Sequence, residues 1–236
     1  RNEQGTYDGF FEGGSTKLKA EKLWSYCKKY DDILNKRMNG VVNNCQGIYY
    51  NKETKDMAKM STYLSELKIA EFVDELYKNP LPYNFEWNKY KQMKEGELTD
   101  EQSEILKSVC ENRFTIVDAL AGSGKSASMN LCLQMLKDNH IEFRCMTATG
   151  KSARRFYEAS NFACSTIHRA CINKEIHEEL IVIDEDSLLS IDLLCMVINA
   201  ISNNNVHCLF LGDLQQLINL STGLPIKDII ASGKAR

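Results

Sequence analysis

Phe114-Thr115-Ile116-Val117-Asp118-Ala119-Leu120-Ala121-Gly122-Ser123-Gly124-Lys125-Ser126 begins as an apolar strand and ends as a glycine loop. A helix-like run, Ala127 to Lys137, follows it. Strand, glycine loop and helix in that order is the setting a phosphate-binding loop needs. Glycines let backbone N–H groups turn inward around an anion, and the next helix presents its positive end to that anion. In such a loop the amides of Ala121, Gly122, Ser123 and Gly124 would surround the phosphates. Lys125 would reach the β- and γ-phosphates of a nucleotide, and the Ser126 hydroxyl would ligate Mg²⁺. The strict pattern wants Gly at position 119, where this chain has Ala119. The plain alternative is an ordinary strand–turn–helix with chance glycines. A Gly-Ser-Gly-Lys-Ser run in this setting favours the nucleotide.

The chain has 236 residues and a net charge of -3. Such a length holds one large domain or two modest ones. The charge argues against a wholesale polyanion binder but leaves room for a local basic groove. Cysteines are odd in number and form no CxxC, and most sit in apolar runs such as Leu131-Cys132-Leu133. There a free cysteine acts as a small core residue. With no signal peptide visible, the expectation is an intracellular, reducing compartment. No apolar run approaches the length of a membrane span, so no membrane partner is expected. A start at Arg1 without Met is expected of a fragment or a processed chain.

The pattern divides the chain near residue 95. Residues 1–94 read as a small, mostly helical accessory domain. Leu23, Cys27, Tyr30 and Leu34 recur at helical steps, as do Met60, Leu64, Leu67, Val73 and Leu76. Asn39-Gly40 signals a turn near a short apolar patch at Ile48-Tyr49-Tyr50, and Asn79-Pro80-Leu81-Pro82 reads as a connector. Tyr83, Phe85, Trp87 and Tyr90 interleave with lysines, a composition able to stack on bases; a helical domain's own core is the preferred reading. From 95 to 236 short apolar runs at 114–118, 141–147, 180–184 and 206–211 alternate with helical stretches at 125–138, 150–160, 188–202 and 225–232. This βαβ series predicts an α/β fold, a parallel sheet covered by helices, with ligands at the carboxyl ends of its strands.

Further motifs fall at those ends. Asp184-Glu185 closes Leu180-Ile181-Val182-Ile183. A carboxylate at such a tip, on a strand neighbouring the phosphate loop, can hold Mg²⁺, and a second can orient the water that attacks a γ-phosphate. Asp184 is thus the metal candidate and Glu185 the base. The Gly212-Asp213-Leu214-Gln215-Gln216-Leu217 stretch places an amide where it could contact the γ-phosphate. Thr147-Ala148-Thr149-Gly150-Lys151-Ser152 ends one run and opens a helix with Arg154 and Arg155. Its hydroxyls, amides and lysine suit nucleic-acid phosphates, and a solvated helix face suits them equally. Cys164, His168, Cys171 and His177 have the right types for zinc, but their spacing matches no common framework.

Taken together, the order of motifs resembles the superfamily 1 helicases of the RecD/TraA type. The resemblance rests on Ala119 to Ser126, Thr147 to Arg155, Thr166-Ile167-His168-Arg169, Asp184-Glu185-Asp186-Ser187, Gly212 to Leu217 and Leu98-Thr99-Asp100-Glu101-Gln102. It covers residues 95–236 and implies a RecA-like P-loop NTPase sheet. It also implies ATP hydrolysis with Mg²⁺ driving 5′ to 3′ movement on single-stranded DNA, with RNA as an alternative strand. By that resemblance Gln102 reads the adenine and Gln216 senses the γ-phosphate. Thr149, Lys151, Thr166 and His168 would line the nucleic-acid path. Replication or repair proteins would meet residues 1–94. The family usually has Pro where Ile218 stands, and the spacings after His168 and Gln216 are shorter than expected. Such helicases use a second RecA-like domain that supplies arginines to the γ-phosphate. One domain alone is therefore expected to bind nucleotide with little hydrolysis. A P-loop nucleoside or nucleotide kinase, and a non-catalytic nucleic-acid-binding scaffold, are the rival readings.

Overall fold

The computed structural model describes residues 48–50, 57–92, 99–119, 125–172, 175–213 and 223–235. The chain divides into two compact units, residues 1–63 and 64–236. In the first, strands β1 (Ile48–Tyr50) and β2 (Met57–Lys59) pair antiparallel with Tyr49 opposite Ala58. Tyr49 stacks on Tyr63, ring centroids 3.6 Å apart. The amphipathic stretch around Leu23 to Leu34 lies outside the described residues.

Helix α1 (Met60–Lys78) follows β2 directly, and its buried residues Ile69, Val73 and Leu76 recur at four- and three-residue steps. That spacing puts them on one face. Helix α2 (Asp100–Glu111) has a capping box: Thr99 Oγ1 accepts the Gln102 N–H at 3.2 Å, and Gln102 Oε1 accepts the Thr99 N–H at 3.1 Å. Strand β3 (Phe114–Asp118) leads to helix α3 (Lys125–Asp138). Then come β4 (Phe143–Thr147), α4 (Gly150–Ser160), β5 (Cys164–Thr166) and the short α5 (Ile167–Cys171). Strand β6 (Leu180–Asp184), α6 (Ile191–Ala200), β7 (His207–Gly212) and α7 (Pro225–Ala231) complete the order.

Strands β3 to β7 form one parallel sheet in the order β3-β7-β6-β4-β5. The expected α/β, RecA-like parallel sheet flanked by helices is present. The order refines the expectation for the acidic pair. Asp184 ends β6, and β7 stands between β6 and β3, so the acidic strand is one place removed from the strand feeding the phosphate loop.

The sheet is buried on both faces. Leu180, Ile181, Val182 and Ile183 are each 1% exposed or less, which is why the run carries no polar alternation. Successive residues part to opposite sides. Ile181, Ile183, Cys208 and Phe210 join Ile69 and Val73 of α1, Ile167 of α5, Leu194 of α6 and Ile226 of α7. Val182, Leu209 and Leu211 join Leu106 of α2, Leu133 and Leu136 of α3 and Phe156 of α4. Each fully buried aliphatic contributes about 1.5–3 kcal/mol of transfer free energy, so two continuous cores hold the three layers together.

Tyr83, Phe85, Trp87 and Tyr90 pack against the second core, so these aromatics cover the parallel sheet and are not the core of a separate helical domain. Arg113 ties the connector to the sheet, donating to the carbonyls of Asn79 (3.2 Å), Asn204 (2.7 Å) and Val206 (3.2 Å). The described cysteines are free thiols, and Cys110, Cys132, Cys145 and Cys208 are buried. Among the described residues no helix is long and apolar enough to cross a membrane.

Candidate active site

Parallel pairing sets the carboxyl ends of the strands in a row. Asp118 pairs with Gly212, Leu211 with Asp184, and Asp184 with Thr147, while Thr147 pairs in turn with Thr166. Asp118, Thr147, Thr166, Asp184 and Gly212 therefore reach the same edge of the sheet. Adjacent strands lie about 4.8 Å apart, so β3 and β6 are separated by roughly 10 Å, filled by β7.

Lys125 opens α3, and its Nζ donates to Gly212 O at 3.3 Å across that edge. Ser126 follows it, exposed, in the first turn. Ala121, Gly122, Ser123, Gly124 and Gln216 lie outside the described residues. Burial holds the Asp184 carboxyl above the usual carboxylate range, and the Lys125 ammonium opposes that shift.

Asp186 is the residue whose role sequence reasoning missed. It is 2% exposed, and its Oδ1 has no hydrogen-bond partner. Burial, above all, pushes its carboxyl up to about 7. The Lys125 ammonium pulls the other way, and Asp118 and Asp184 push it up further. The carboxyl sits over the Gly212 backbone: a Cβ added at Gly212 would meet Asp186 Oδ1 at 1.5 Å and Cγ at 2.4 Å. This close approach gives the glycine of the Gly212-Asp213 pair a physical reason. The only trace in sequence is an acid two places past a fully apolar strand, which does not say which way it points.

Glu185 leaves β6 with a left-handed backbone, φ 58° and ψ 50°. Few non-glycine residues adopt that region, and they gather at functional turns. Its Oε2 accepts a hydrogen bond from Ser152 Oγ, on the β4 side of β6. Ser152 belongs to the first turn of α4, whose N-cap is Thr149. Lys151, Arg154 and Arg155 are exposed on that helix, and Arg154 pairs with Glu158 at 2.8 Å. Thr166 caps α5 by accepting the Arg169 N–H at 3.3 Å, and His168 is exposed in its first turn. The structure thus brings Thr149 and Lys151 together with Thr166 and His168 at the adjoining ends of β4 and β5.

A cavity of about 510 Å³ opens beside Lys125, lined among others by Gln102, Ile105, Ser108, Val117 and Asp118. Gln102 therefore shares a cavity with Lys125 while its side-chain carbonyl completes the α2 cap. The volume lies within the range typical of small-molecule sites.

Comparison with known proteins adds a family. Residues 97–236 match the family described as the AAA domain. An uncharacterized protein of Methanocaldococcus jannaschii is 23% identical over 195 residues, covering 70% of this chain and 16% of that protein. Among solved structures, Pif1 from Bacteroides sp. in complex with ADP-AlF4 aligns with a TM-score of 0.42 at 18% identity, over 58% of this chain and 37% of that chain. The Pif1 helicase from Candida albicans aligns with a TM-score of 0.43 at 21% identity, over 54% and 35% of the two chains. The UvsW helicase from bacteriophage T4 gives 0.43 at 12% identity, over 61% and 59%. The chain spans only 16% of the archaeal relative's length. The family match, by contrast, takes in every strand of the parallel sheet and the whole carboxyl edge. On that span the chain belongs to the AAA domain family.

Proposed function

We propose that this chain carries the ATP-hydrolysing motor domain of a DNA helicase or translocase, using ATP and Mg²⁺ to move 5′ to 3′ on single-stranded DNA. One observation carries the reading. The Lys125 ammonium lies on the backbone of β7 within electrostatic reach of Asp184 and Asp186, beside a cavity of nucleotide size. A cation poised among carboxylates at the carboxyl edge of a parallel sheet suits a triphosphate and its metal.

The donors fit Mg²⁺, a hard cation that takes oxygen ligands. Asp184 offers a carboxylate, and the unpartnered Asp186 Oδ1 stands nearby as an acceptor without a donor. Ser126 and Asp184 would hold the ion, which when bound neutralises phosphate charge. Lys125 would exchange Gly212 O for the β- and γ-phosphates. Glu185 would accept the proton of the attacking water as oxygen bonds to the γ-phosphorus and the bond to the β–γ bridging oxygen breaks. Gln216 would contact the γ-phosphate, the amides of 121–124 would cradle the chain of phosphates, and Gln102 would meet the base in the cavity.

Thr149, Lys151, Thr166 and His168 would grip the strand through its phosphates, giving sequence-independent, salt-sensitive binding. Residues 95–236 would be the motor and residues 1–94 an accessory domain facing replication or repair proteins. The test is steady-state ATP turnover with Mg²⁺. We expect slow turnover, raised by single-stranded DNA and abolished by Glu185→Gln. Turnover that requires a nucleoside acceptor would identify a kinase instead, and stimulation by RNA alone would reassign the strand.

A further inference from the structure

Glu185 and the α4 N-terminus are joined by a chain of hydroxyls. Ser152 Oγ donates to Glu185 Oε2, and it lies 2.7 Å from Thr149 Oγ1. Thr149 Oγ1 also accepts the Ser152 N–H at 3.2 Å, closing the helix cap. The proton inventory fixes the direction. A carboxylate only accepts, so the single Ser152 proton goes to Glu185. The 2.7 Å contact must then be made by the Thr149 proton, donated to Ser152 Oγ. Thr147 Oγ1 donates to Thr149 O at 2.9 Å and holds the turn in place. Ser152 is 5% exposed, so water does not readily replace it in this chain.

The direction matters because of where each end lies. Glu185 is held on the β4 side of β6, whereas Lys125 rests on β7, on the other side of that strand. At the far end, Thr149 begins the helix that carries the exposed Lys151. A phosphate that accepts the Thr149 proton takes it from Ser152, and linked hydrogen bonds weaken together when one is removed.

We propose that Ser152 is a positioning residue for Glu185: it parks the carboxylate on the β4 side and releases it when a nucleic-acid phosphate engages Thr149. The proposal rests on the reading of Glu185 as the base and Thr149 as a phosphate contact. It makes nucleic-acid binding and Glu185 release one linked equilibrium, so either can be read through the other.

Titration of a fluorescent oligo-dT into the full chain tests it without any turnover. With Ser152→Ala, Thr149 no longer has to give up a partner, and affinity is expected to rise by roughly fivefold, the low end of measured couplings. Glu185→Ala removes the acceptor that orients Ser152 and is expected to raise affinity too, with no further gain in the double variant. Ser152→Thr keeps the hydroxyl and should restore the original affinity. In turnover assays Ser152→Ala is expected to raise kcat without DNA, leave KM for ATP unchanged and shrink the stimulation by DNA. Equal oligonucleotide affinity in wild type and Ser152→Ala overturns the proposal, as does additivity in the double variant or a fall in kcat without DNA. Turnover that persists in Glu185→Gln would instead sink the reading of Glu185 as the base, while the oligonucleotide titration still decides the linkage.

Discussion

Gly212→Ala is the substitution whose consequence the structure states most sharply. The new methyl would lie 1.5 Å from Asp186 Oδ1, so the carboxyl must retreat by about 2 Å to reach ordinary van der Waals contact. Asp186 is buried, and Gly212 lies in β7 between β3 and β6, so neither side gives way easily. Overpacking of this kind costs roughly 1–3 kcal/mol. Asp186→Ala removes the obstacle. It gives up no hydrogen bond at Oδ1 and relieves a carboxyl whose charged form is disfavoured by burial. We expect Asp186→Ala to lie within about 1 kcal/mol of wild type, or above it. In that background Gly212→Ala should cost almost nothing, a coupling of about 2 kcal/mol. Urea unfolding at pH 7.5 with a common m-value measures all four proteins. If Gly212→Ala is equally destabilising with and without the Asp186 side chain, the carboxyl does not sit over the glycine and the reasoning fails.

Two further outcomes follow from single residues. His207 is buried against Tyr83, ring centroids 4.2 Å apart, and burial pushes its imidazole down to about 4. Because its folded value lies below the roughly 6.5 of an unfolded histidine, stability from this residue is complete above that pH. It should then be lost as pH falls from about 6.5 to 4, by around 3 kcal/mol in all. His207→Phe should flatten the urea-midpoint curve across that window, and an unchanged slope would show that His207 does not titrate there. Lys151→Ala should weaken oligonucleotide binding about equally for all sequences and reduce the slope of log affinity against log salt by roughly one. A sequence-dependent loss, or an unchanged slope, would place Lys151 off the phosphate path.

Much of the sheet was legible because its strands are buried on both faces. The runs at 114–118 and 180–184 needed no tertiary information, and the helices at 125–138 and 150–160 start and stop where the pattern says. Thr99 and Gln102 carry a readable capping box, yet α2 was not read as a helix because its apolar face is short. Strand β5 has three residues, too few for any period to declare itself. Strand order was beyond reach for a different reason: that β7 enters between β3 and β6 depends on pairing across nearly a hundred residues.

At the site, the residue types were legible and their attitudes were not. Lys125 and Asp184 were expected to share an edge, and they do. The left-handed turn at Glu185, its bond to Ser152 and the burial of Asp186 on Gly212 are set by packing between strands that sequence reading treats one at a time.

Binding of a fluorescent ATP analogue with Mg²⁺, compared between wild type and Lys125→Ala, bears most directly on the central claim. Loss of a charged contact to phosphate should weaken affinity by roughly tenfold or more, while the urea midpoint stays near that of the wild type. Equal affinity in the two proteins would mean that the carboxyl edge of this sheet is not where the nucleotide sits.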